Sequence, residues 1–365
     1  MTLLFINLSP IWGGGERWTW QSAMEFRNRN YRVEVLALTD SKLARRCHDN
    51  NVSCHSLKPG RFTLTADKQI LNTFINTRDS LLIIANSGRD LTLANYIKKY
   101  NGRTGIIFRR GLDKAITNNY FNRLKYKKVD QIIVNSTATA NTIRHSFPWF
   151  PQKSIHLVYN PIDSQAFAKF RPQDIRQQLH IPATAKVLGI IGRLARQKGH
   201  IYALEVLQQL KNIYPDVYLL IVGEGEEENS LKNKINRLNL NNLCRLVGHV
   251  DQIQPYYQAV DVVLIPSLFE GFCFTAIEAQ LLERPVIAFN TSSMPEVVQH
   301  NHTGFLIPLH DSQYMSKKLQ LLFDKPELRR QMGQAGKKFV EYNFSARAIY
   351  DQLDKIFRAQ FNGTN

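Results

Sequence analysis

The sequence predicts an α/β protein built from two doubly wound parallel sheets, and two observations support this prediction. Short apolar runs alternate with amphipathic stretches along almost the whole chain, which is the pattern of parallel strands covered by helices on both faces. The chain has 365 residues, which is more than a single hydrophobic core usually organises. Two domains of ordinary size are therefore expected.

Apolar runs of strand length predict six strands in each half of the chain. In the first half they are Leu3–Leu8, Tyr31–Leu38, Leu81–Ala85, Gly105–Phe108, Gln131–Asn135 and Ile155–Tyr159. In the second half they are Lys186–Gly192, Val217–Gly223, Leu243–Gly248, Val260–Ile265, Pro285–Phe289 and Gly304–Ile307. Turn-forming residues between the two series predict a linker over 160–172. We expect one domain over residues 1–165, a second over 166–343, and an amphipathic helix after that.

Composition indicates a globular protein without a membrane span. Hydrophobic residues make up 44% of the chain and charged residues 21%, and no stretch approaches the roughly 18 apolar residues that a span requires. The first apolar run lacks a basic leader and is interrupted by Asn7 and Pro10, so it reads as a strand and not as a signal peptide. We expect a cytoplasmic protein.

The positive charge is concentrated in the first half. Residues 1–165 contain 24 Lys and Arg against 11 Asp and Glu, which is +13 of the total net charge of +17. Such an excess favours a polyanionic partner: anionic lipid headgroups, a phosphorylated acceptor or nucleic acid. The alternative is an enzyme that is basic without a specific anionic partner.

The first candidate site follows the first predicted strand. Open α/β sheets bind ligands beyond the carboxyl ends of their strands, and here Gly13, Gly14 and Gly15 precede the helical stretch Arg17–Asn28. Glycines let the backbone approach a ligand, and a helix start offers N–H groups to a phosphate. A flexible turn would have the same sequence. The loop is not G-x-G-x-x-G, which disfavours a nicotinamide cofactor.

A second candidate loop runs from Gly192 to Gly199 after the first strand of the second half. Arg193 can clamp a diphosphate by bidentate hydrogen bonds, and Lys198 can act on it as a point charge. The alternative is that both cations are merely solvated. Their position at the carboxyl end of a strand favours the first interpretation.

The third candidate stretch, Pro266–Ala279, contains Glu270 in a turn and Glu278 on the helix that follows. One carboxylate could accept hydrogen bonds from sugar hydroxyls and the other from a ribose diol. In this interpretation the backbone N–H groups between the two glutamates face the phosphates. These groups belong to Gly271, Phe272, Cys273 and Phe274. The alternative for Glu278 is a first-turn carboxylate that the helix dipole favours.

These motifs make the chain similar to glycosyltransferase family 4. The hallmark of that family is Glu, seven residues, Glu, which matches Glu270 to Glu278, preceded by Gly-x-Leu-x-x-x-Lys-Gly, which matches Gly192 to Gly199. The resemblance covers essentially the whole chain. Further matching elements are Gly13–Gly15, Asn135-Ser136, Asn160–Asp163, Val222–Gly225 and Gly248–Val250.

The resemblance implies a GT-B fold, in which two Rossmann-like domains face each other across a cleft. The N-terminal domain would bind the acceptor and the C-terminal domain the donor, with residues 344–365 crossing back to the N-terminal domain. Arg193 and Lys198 would contact the donor diphosphate, Glu278 the ribose and Glu270 the transferred sugar. The base would lie near Gly248, His249 and Val250.

One segment departs from the family pattern. Many members have a histidine that contacts the donor sugar after the fourth or fifth N-terminal strand, whereas this chain has Phe108–Asp113 there. The lipopolysaccharide core glucosyltransferases that it resembles share a Gly-Leu-Asp at this place, so Asp113 could take the sugar-facing role. Arg109 and Arg110 could instead bind an anionic acceptor, or they could form a solvated surface.

The function implied is retaining transfer of a sugar from a nucleotide diphosphate donor, expected to be a UDP-sugar, to a lipid-linked or cell-surface glycan. Cations and amide dipoles could stabilise the leaving diphosphate without a metal or cofactor, and no Asp-x-Asp metal motif occurs. The basic run Arg123–Lys128 could lie on an anionic membrane, or it could be a solvated helix face. The rivals are a nucleotide-sugar epimerase of the same fold and a basic nucleic-acid-binding protein, which the lack of a recognised nucleic-acid motif disfavours.

Overall fold

The computed structural model describes residues 2–58, 68–77 and 79–362. The chain divides into two compact units. The first contains the chain up to Pro161 and from Ala346 onward, and the second contains Ile162–Ser345. Each unit is built around one parallel sheet.

The first unit has seven strands: β1 Thr2–Asn7, β2 Arg32–Leu38, β3 Cys54–Leu57, β4 Leu81–Ala85, β5 Thr104–Arg110, β6 Gln131–Val134 and β7 Ile155–Leu157. Its helices before the junction are α1 Gly14–Asn28, α2 Lys42–Asp49, α3 Lys68–Ile75, α4 Gly88–Tyr100, α5 Tyr120–Tyr126 and α6 Thr137–Ser146. The sheet order is β3-β2-β1-β4-β5-β6-β7, and all pairs are parallel. The order reverses between β1 and β4, so the glycine loop after β1 lies at the switch point, where ligands bind in such sheets.

The second unit has six strands: β8 Lys186–Ile191, β9 Val217–Val222, β10 Cys244–Gly248, β11 Val262–Ile265, β12 Val286–Phe289 and β13 Gly304–Ile307. Its helices are α7 Ser164–Ala168, α8 Ile175–Gln178, α9 His200–Leu210, α10 Glu228–Arg237, α11 Gln254–Ala259, α12 Phe274–Leu281, α13 Met294–Val297, α14 Ser312–Asp324 and α15 Pro326–Asn343. The order is β10-β9-β8-β11-β12-β13. The switch point lies between β8 and β11, which brings together the loops that hold the second and third candidate motifs.

The last helix, α16 Ala346–Asn362, belongs to the first unit. Its buried side chain Phe357 packs on Phe26 of α1 with ring centroids 4.8 Å apart. Asp351 also accepts a hydrogen bond of 2.7 Å from Arg29 at the end of α1. An apolar face and an ion pair at its edge therefore fix this helix against α1.

All twelve predicted strands are present, with ends that differ by two residues at most. The apolar runs predicted them because strands covered on both faces are apolar along their whole length. Strand β3 was missed. It is a four-residue edge strand in which only Leu57 is buried, so it has no apolar run to reveal it.

Within the described ranges, no helix combines the length and the apolar character that crossing a bilayer requires.

Candidate functional site

The loops after β8 and β9 are bonded to each other at the carboxyl edge of the second sheet. The N–H of Gly192 donates to Val222 O at 2.9 Å, and the N–H of Leu194 donates to Glu224 O at 2.9 Å. Gly223 has φ +137°, and a Cβ there would lie 2.0 Å from Gly192 O. Only glycine fits such a close approach of two backbones, so this edge has a fixed shape.

Lys198 and Glu270 form an ion pair at this edge. Lys198 Nζ lies 2.6 Å from Glu270 Oε1, and the two side chains are 26% and 7% exposed. Burial alone would lower the pKa of the Lys198 ammonium, but the Glu270 carboxylate outweighs burial and raises that pKa. The pair therefore holds a cation in place at the switch point of the sheet.

The backbone around this ion pair is tied on both sides. Leu268 N donates to Gln197 O at 2.8 Å, and Gln197 Nε2 donates to Phe269 O at 2.7 Å. Gly199, with φ +66°, follows Lys198, and a Cβ on it would lie only 1.9 Å from Pro266 O. The loop after β8 and the loop after β11 therefore form one connected surface.

Glu278 lies on the second turn of α12, which begins at Phe274. It is 5% exposed, and its Oε2 accepts a hydrogen bond of 2.9 Å from the hydroxyl of Tyr257, which is fully buried. Burial and the neighbouring carboxylate raise the pKa of Tyr257 well above its ordinary value, so the phenol stays a donor. The interpretation of Glu278 as a first-turn carboxylate was wrong, because α12 has no acidic residue in its first turn.

The residues between the two glutamates form the start of α12. Cys273 occupies the N-cap position with an extended backbone and makes no side-chain cap. Burial and then the Glu270 charge raise the pKa of its thiol to about 12, so Cys273 is a neutral packing residue and not a nucleophile. Phe272 packs edge-on against Phe344 at 5.4 Å. Whether the amides here face a phosphate stays a prediction.

The remaining predicted residues of the second unit lie on neighbouring loops. Arg193 is exposed, and its charge lowers the pKa of Lys198, so the two cations act on a common region. Gly248, with φ +80°, accepts a hydrogen bond of 2.9 Å from Gly223 N, which joins the loop after β10 to the same edge. His249 is half exposed and lies 3.7 Å from Asp251. Val250 is half-buried.

In the first unit, the three glycines form the start of α1. Gly13 is the N-cap, with φ −159° and no side-chain cap, and the helix begins at Gly14. This extended backbone does not itself require glycine. A Cβ on Gly15 would lie 3.7 Å from Arg109 Nη1, which is an ordinary van der Waals contact. An uncapped helix start and a guanidinium therefore lie side by side.

Arg109, at the end of β5, is only 4% exposed. Its Nη2 donates to Asn160 Oδ1 at 2.8 Å, and its guanidinium lies 4.8 Å from the ring centroid of Trp18. Burial lowers the pKa of Arg109 to about 10, while Glu16 opposes this shift. Among the described residues no carboxylate approaches it within ion-pair distance. A buried cation without a neutralising partner is a costly arrangement, so Arg109 is a candidate anion receptor.

Arg110 and Asp113 have less distinctive surroundings. Arg110 Nη2 donates to Lys114 O at 2.7 Å, and burial lowers the pKa of Arg110. Asp113 Oδ1 accepts a hydrogen bond of 2.5 Å from Thr142 on α6. That contact fixes the carboxylate, but the sugar-facing role of Asp113 stays a prediction.

Helix α5 presents an exposed surface of aromatic and basic side chains. Tyr120 is 70% exposed and Phe121 78% exposed, with Leu124 at 49% beside them. Arg123 and Lys127 are exposed on the same short segment. Such a mixture of side chains is suited to binding an anionic membrane surface. Membrane binding stays a prediction, and sedimentation with anionic and with neutral vesicles would test it.

Sequence reasoning missed Tyr257 and Trp18, which hold Glu278 and Arg109 respectively. Each lies far from its partner in the chain and belongs to no motif. Apolar patterning marks such aromatic residues only as core, so no signal in a single sequence could have indicated their polar contacts.

Comparison with known proteins identifies the family of the chain. The family profile described as "Glycosyltransferase Family 4" matches residues 12–166, and the profile "Glycosyl transferases group 1" matches residues 172–339. The chain belongs to glycosyltransferase family 4. The resemblance inferred from the glutamate and lysine motifs is thereby confirmed.

Curated relatives of this family 4 chain match it over part of their length. An uncharacterized glycosyltransferase of Haemophilus influenzae is 36% identical over 148 residues, which are 40% of this chain and 42% of the relative. The capsular polysaccharide biosynthesis glycosyltransferase CapM of Staphylococcus aureus is 33% identical over 175 residues, 47% of this chain and 45% of CapM. The chain thus spans less than half of the length of these relatives.

Solved structures show the fold of this family 4 chain. HepE of Anabaena in complex with UDP-glucose superposes with a TM-score of 0.85 at 21% identity, covering 98% of this chain and 100% of HepE. The lipopolysaccharide outer core galactosyltransferase WaaB superposes with a TM-score of 0.74 at 16% identity, covering 99% of this chain and 100% of WaaB. The predicted fold class, two Rossmann-like parallel-sheet domains of the GT-B type, is confirmed.

Proposed function

We propose that the chain transfers a hexose from a UDP-sugar to a glycan acceptor with retention of configuration, and that its second unit holds the donor. The observation that supports this most is the Lys198–Glu270 ion pair of 2.6 Å at the switch point of the second sheet. It places a cation where nucleotides bind in doubly wound folds, with a carboxylate beside it. The complexes of HepE with UDP and with UDP-glucose support the choice of donor.

Departure of UDP places negative charge on the β-phosphate. An ammonium has three N–H donors, and Glu270 accepts from one of them in the free protein. Lys198 can therefore keep its carboxylate partner and still donate to a phosphate oxygen, and exposed Arg193 can supply a bidentate contact to the same diphosphate. These two cations supply the charge stabilisation, so we propose that transfer needs no metal ion and continues at full rate in EDTA.

The two carboxylates have different tasks in this proposal. Tyr257 fixes Oε2 of Glu278 through a hydrogen bond of 2.9 Å and so orients the carboxylate toward a ribose diol. Glu270 lies beside the cation that stabilises the leaving group, and it accepts hydrogen bonds from hydroxyls of the transferred sugar. The leaving phosphate assists deprotonation of the acceptor hydroxyl on the same face, which gives retention without a covalent intermediate.

A panel of nucleotides and nucleotide sugars tests the donor proposal. A ligand that binds only the native protein raises its unfolding free energy by about 2.7 kcal/mol at a concentration of 100 Kd. UDP and one UDP-sugar should therefore raise the melting temperature by several degrees, whereas ADP and GDP should not. An unchanged melting temperature with every uridine nucleotide would contradict the proposal.

Incubation of the donor without an acceptor separates transfer from epimerisation. A transferase slowly transfers the sugar to water, releases UDP and leaves the sugar of the remaining donor unchanged. An epimerase converts the sugar of the donor to its isomer. Chromatography of the recovered donor distinguishes the two outcomes. Transfer is favoured because CapM and WaaB, which the chain resembles, bear the names of transferases that build surface polysaccharides.

We further propose that the first unit binds the acceptor, a lipid-linked or cell-surface glycan, and that Arg109 recognises an anionic group on it. The guanidinium is buried and carries no carboxylate partner among the described residues. A Cβ on Gly15, at the uncapped start of α1, would lie 3.7 Å from its Nη1, and a Cβ on Gly111 would lie 2.4 Å from the same atom. A carboxylate or phosphate at this place would receive a charge-assisted hydrogen bond and also the helix dipole.

Replacing Arg109 by methionine should remove this preference while filling most of the space. With glucuronide and glucoside acceptors of matched aglycone, the wild-type chain should favour the glucuronide, and Arg109→Met should lower kcat/KM for the glucuronide by about 10–100-fold, the equivalent of 1–3 kcal/mol for a charged hydrogen bond. The rate of donor hydrolysis by water and the melting temperature in UDP should change little.

Arg144→Met supplies the matched control, because Arg144 is an exposed arginine of the same unit that bonds only to neutral groups. It should leave both acceptors unaffected. If Arg109→Met lowered kcat/KM equally for the glucoside and the glucuronide, Arg109 would have a structural role. That result would contradict recognition of an anionic group on the acceptor.

A further inference from the structure

A cavity of about 670 Å³ opens in the second unit between α9 and α10. It is bordered by the loop before α9, one side of α10, and Leu268 and His310. Sites for small molecules typically have volumes of about 300–1,000 Å³, so this cavity is large enough for a phosphorylated sugar or a nucleotide. None of the residues assigned above to the donor diphosphate, sugar or ribose lines it.

The wall of this cavity is cationic. Arg196, Lys234 and Arg237 line it, and Glu227 is the single carboxylate among its lining residues in the described part of the chain. None of these three cations forms an ion pair with another described residue. Three unpaired cations around one concave surface attract a polyanionic group such as a phosphate.

His200 lies at the inner wall of the cavity, and it is a second indication of a ligand, independent of the three cations. It is 3% exposed, and within the described ranges neither Nδ1 nor Nε2 has a hydrogen-bond partner. Burial, and then the Lys198 charge, lower the pKa of His200 to about 4, so the imidazole is neutral at neutral pH and has one N–H donor and one acceptor. Buried polar groups normally have partners, which makes this ring a candidate contact for a bound molecule.

The same histidine connects the cavity to the predicted donor loop. A much smaller cavity, of about 10 Å³, is lined by Gly192, Lys198 and Thr275 and also by His200. His200 is therefore shared by both cavities, while the remaining lining residues differ. At the outer rim Tyr202 and His310 share a hydrogen bond of 2.5 Å and supply ring surfaces for the body of a ligand.

We propose that this cavity is a second ligand site that binds a phosphorylated small molecule, with the phosphate on Arg196, Lys234 and Arg237 and a polar group of the ligand on His200. The site is separate from that for the nucleotide-sugar donor, and its occupation does not depend on the transfer reaction. Phosphate is the shared chemistry; inorganic phosphate and a sugar phosphate are the two sources to distinguish.

Calorimetric titration of the whole chain in saturating UDP tests the proposal, because UDP occupies the donor site. The probes are ribose 5-phosphate, ribose and inorganic phosphate. Ribose 5-phosphate should bind and ribose should not. Weaker binding of inorganic phosphate would support recognition of the body of the ligand, including the contact with His200. Equal binding would support the phosphate site but would overturn the contact of the ligand with His200.

The double variant Lys234→Ala with Arg237→Ala should weaken ribose 5-phosphate binding at least tenfold, since it removes two of the three cations from an exposed helix face. Lys232→Ala is the matched control. Lys232 lies on the same helix, is 55% exposed and pairs with Glu228, and does not line the cavity. His200→Gln, which keeps hydrogen-bonding groups, should retain binding more fully than His200→Leu.

Three outcomes would overturn the proposal. One is the absence of binding by both phosphates at millimolar concentration, and another is unchanged affinity in the double variant. The third is competition between ribose 5-phosphate and UDP, which would place the probe in the donor site. Each variant should first show the melting temperature and the UDP-induced shift of the wild-type chain, so that a loss of binding is not a loss of fold.

Discussion

Replacing Lys198 by alanine should lower the rate of sugar transfer by about 10²–10³-fold, the usual effect of removing one group that stabilises charge in a transition state. The ammonium lies 2.6 Å from Glu270 at the edge where the diphosphate is proposed to bind, and Glu270 keeps it charged. Its loss removes the cation that meets the leaving β-phosphate. Measurement of kcat at saturating donor and acceptor would show the effect.

Stability and catalysis must be separated, because Lys198→Ala also leaves Glu270 buried without its partner. Breaking a fully buried pair costs about 3–5 kcal/mol, and the cost here should be smaller because the Lys198 side chain is about a quarter exposed. The double variant Lys198→Met with Glu270→Gln removes both charges. It should recover most of the melting temperature and none of the activity.

Lys337→Ala is the matched control for charge removal. Lys337 pairs with Glu283 at 3.1 Å, but both side chains are 43% exposed, so the pair contributes little. The control should keep wild-type activity. Full activity of Lys198→Ala, or activity restored together with stability in the double variant, would refute the role of Lys198 on the diphosphate.

The fold could be predicted from sequence because its core has a simple pattern. Both sheets are parallel and covered by helices, so their strands appear as unbroken apolar runs such as Leu81–Ala85 and Gly304–Ile307. Edge strand β3 has Cys, His and Ser in three of its four positions. Its place in the sheet comes from pairing with β2, which local composition does not encode.

The candidate site could be predicted in part. Lys198 and Glu270 were predicted to share a site because both follow strands and match the motifs of the family. The sheet order, which the sequence did not give, then brings the loops after β8 and β11 to one edge. The contacts of Glu278 with Tyr257 and of Arg109 with Asn160 join residues 21 and 51 positions apart. Such pairs arise from packing, for which a single sequence has no local signal. The cavity beside His200 likewise depends on how α9 and α10 pack.

The glycines of the site have different physical requirements that their sequence cannot distinguish. Gly13 has an extended backbone that any residue could adopt, and a Cβ there would lie 3.3 Å from Glu16 Oε2. Gly248 needs a positive φ but has open space around it, whereas Gly199 needs both a positive φ and the absence of a Cβ. Alanine should therefore destabilise the protein more at Gly199 than at Gly248.

Gly199→Ala should destabilise the second unit by about 2–5 kcal/mol. The left-handed backbone costs a residue with a Cβ about 1–2 kcal/mol, and forcing extra atoms into a packed site costs about 1–3 kcal/mol more. The new Cβ would lie 1.9 Å from Pro266 O, so either the loop after β8 or the loop after β11 must move. Because that movement displaces Lys198 from Glu270, transfer activity should fall with stability.

Two alanine substitutions calibrate this result in urea unfolding. Gly248 has φ +80°, and no atom lies within 4 Å of the new Cβ, so Gly248→Ala should lower the free energy of unfolding only by the cost of the left-handed backbone, about 1–2 kcal/mol. Gly102→Ala, in open space without a positive φ, should change the free energy of unfolding by less than about 0.5 kcal/mol or raise it slightly. If Gly199→Ala were no worse than Gly248→Ala, the close approach of the two loops would not constrain this edge, and its rigidity could not be what holds Lys198 in place.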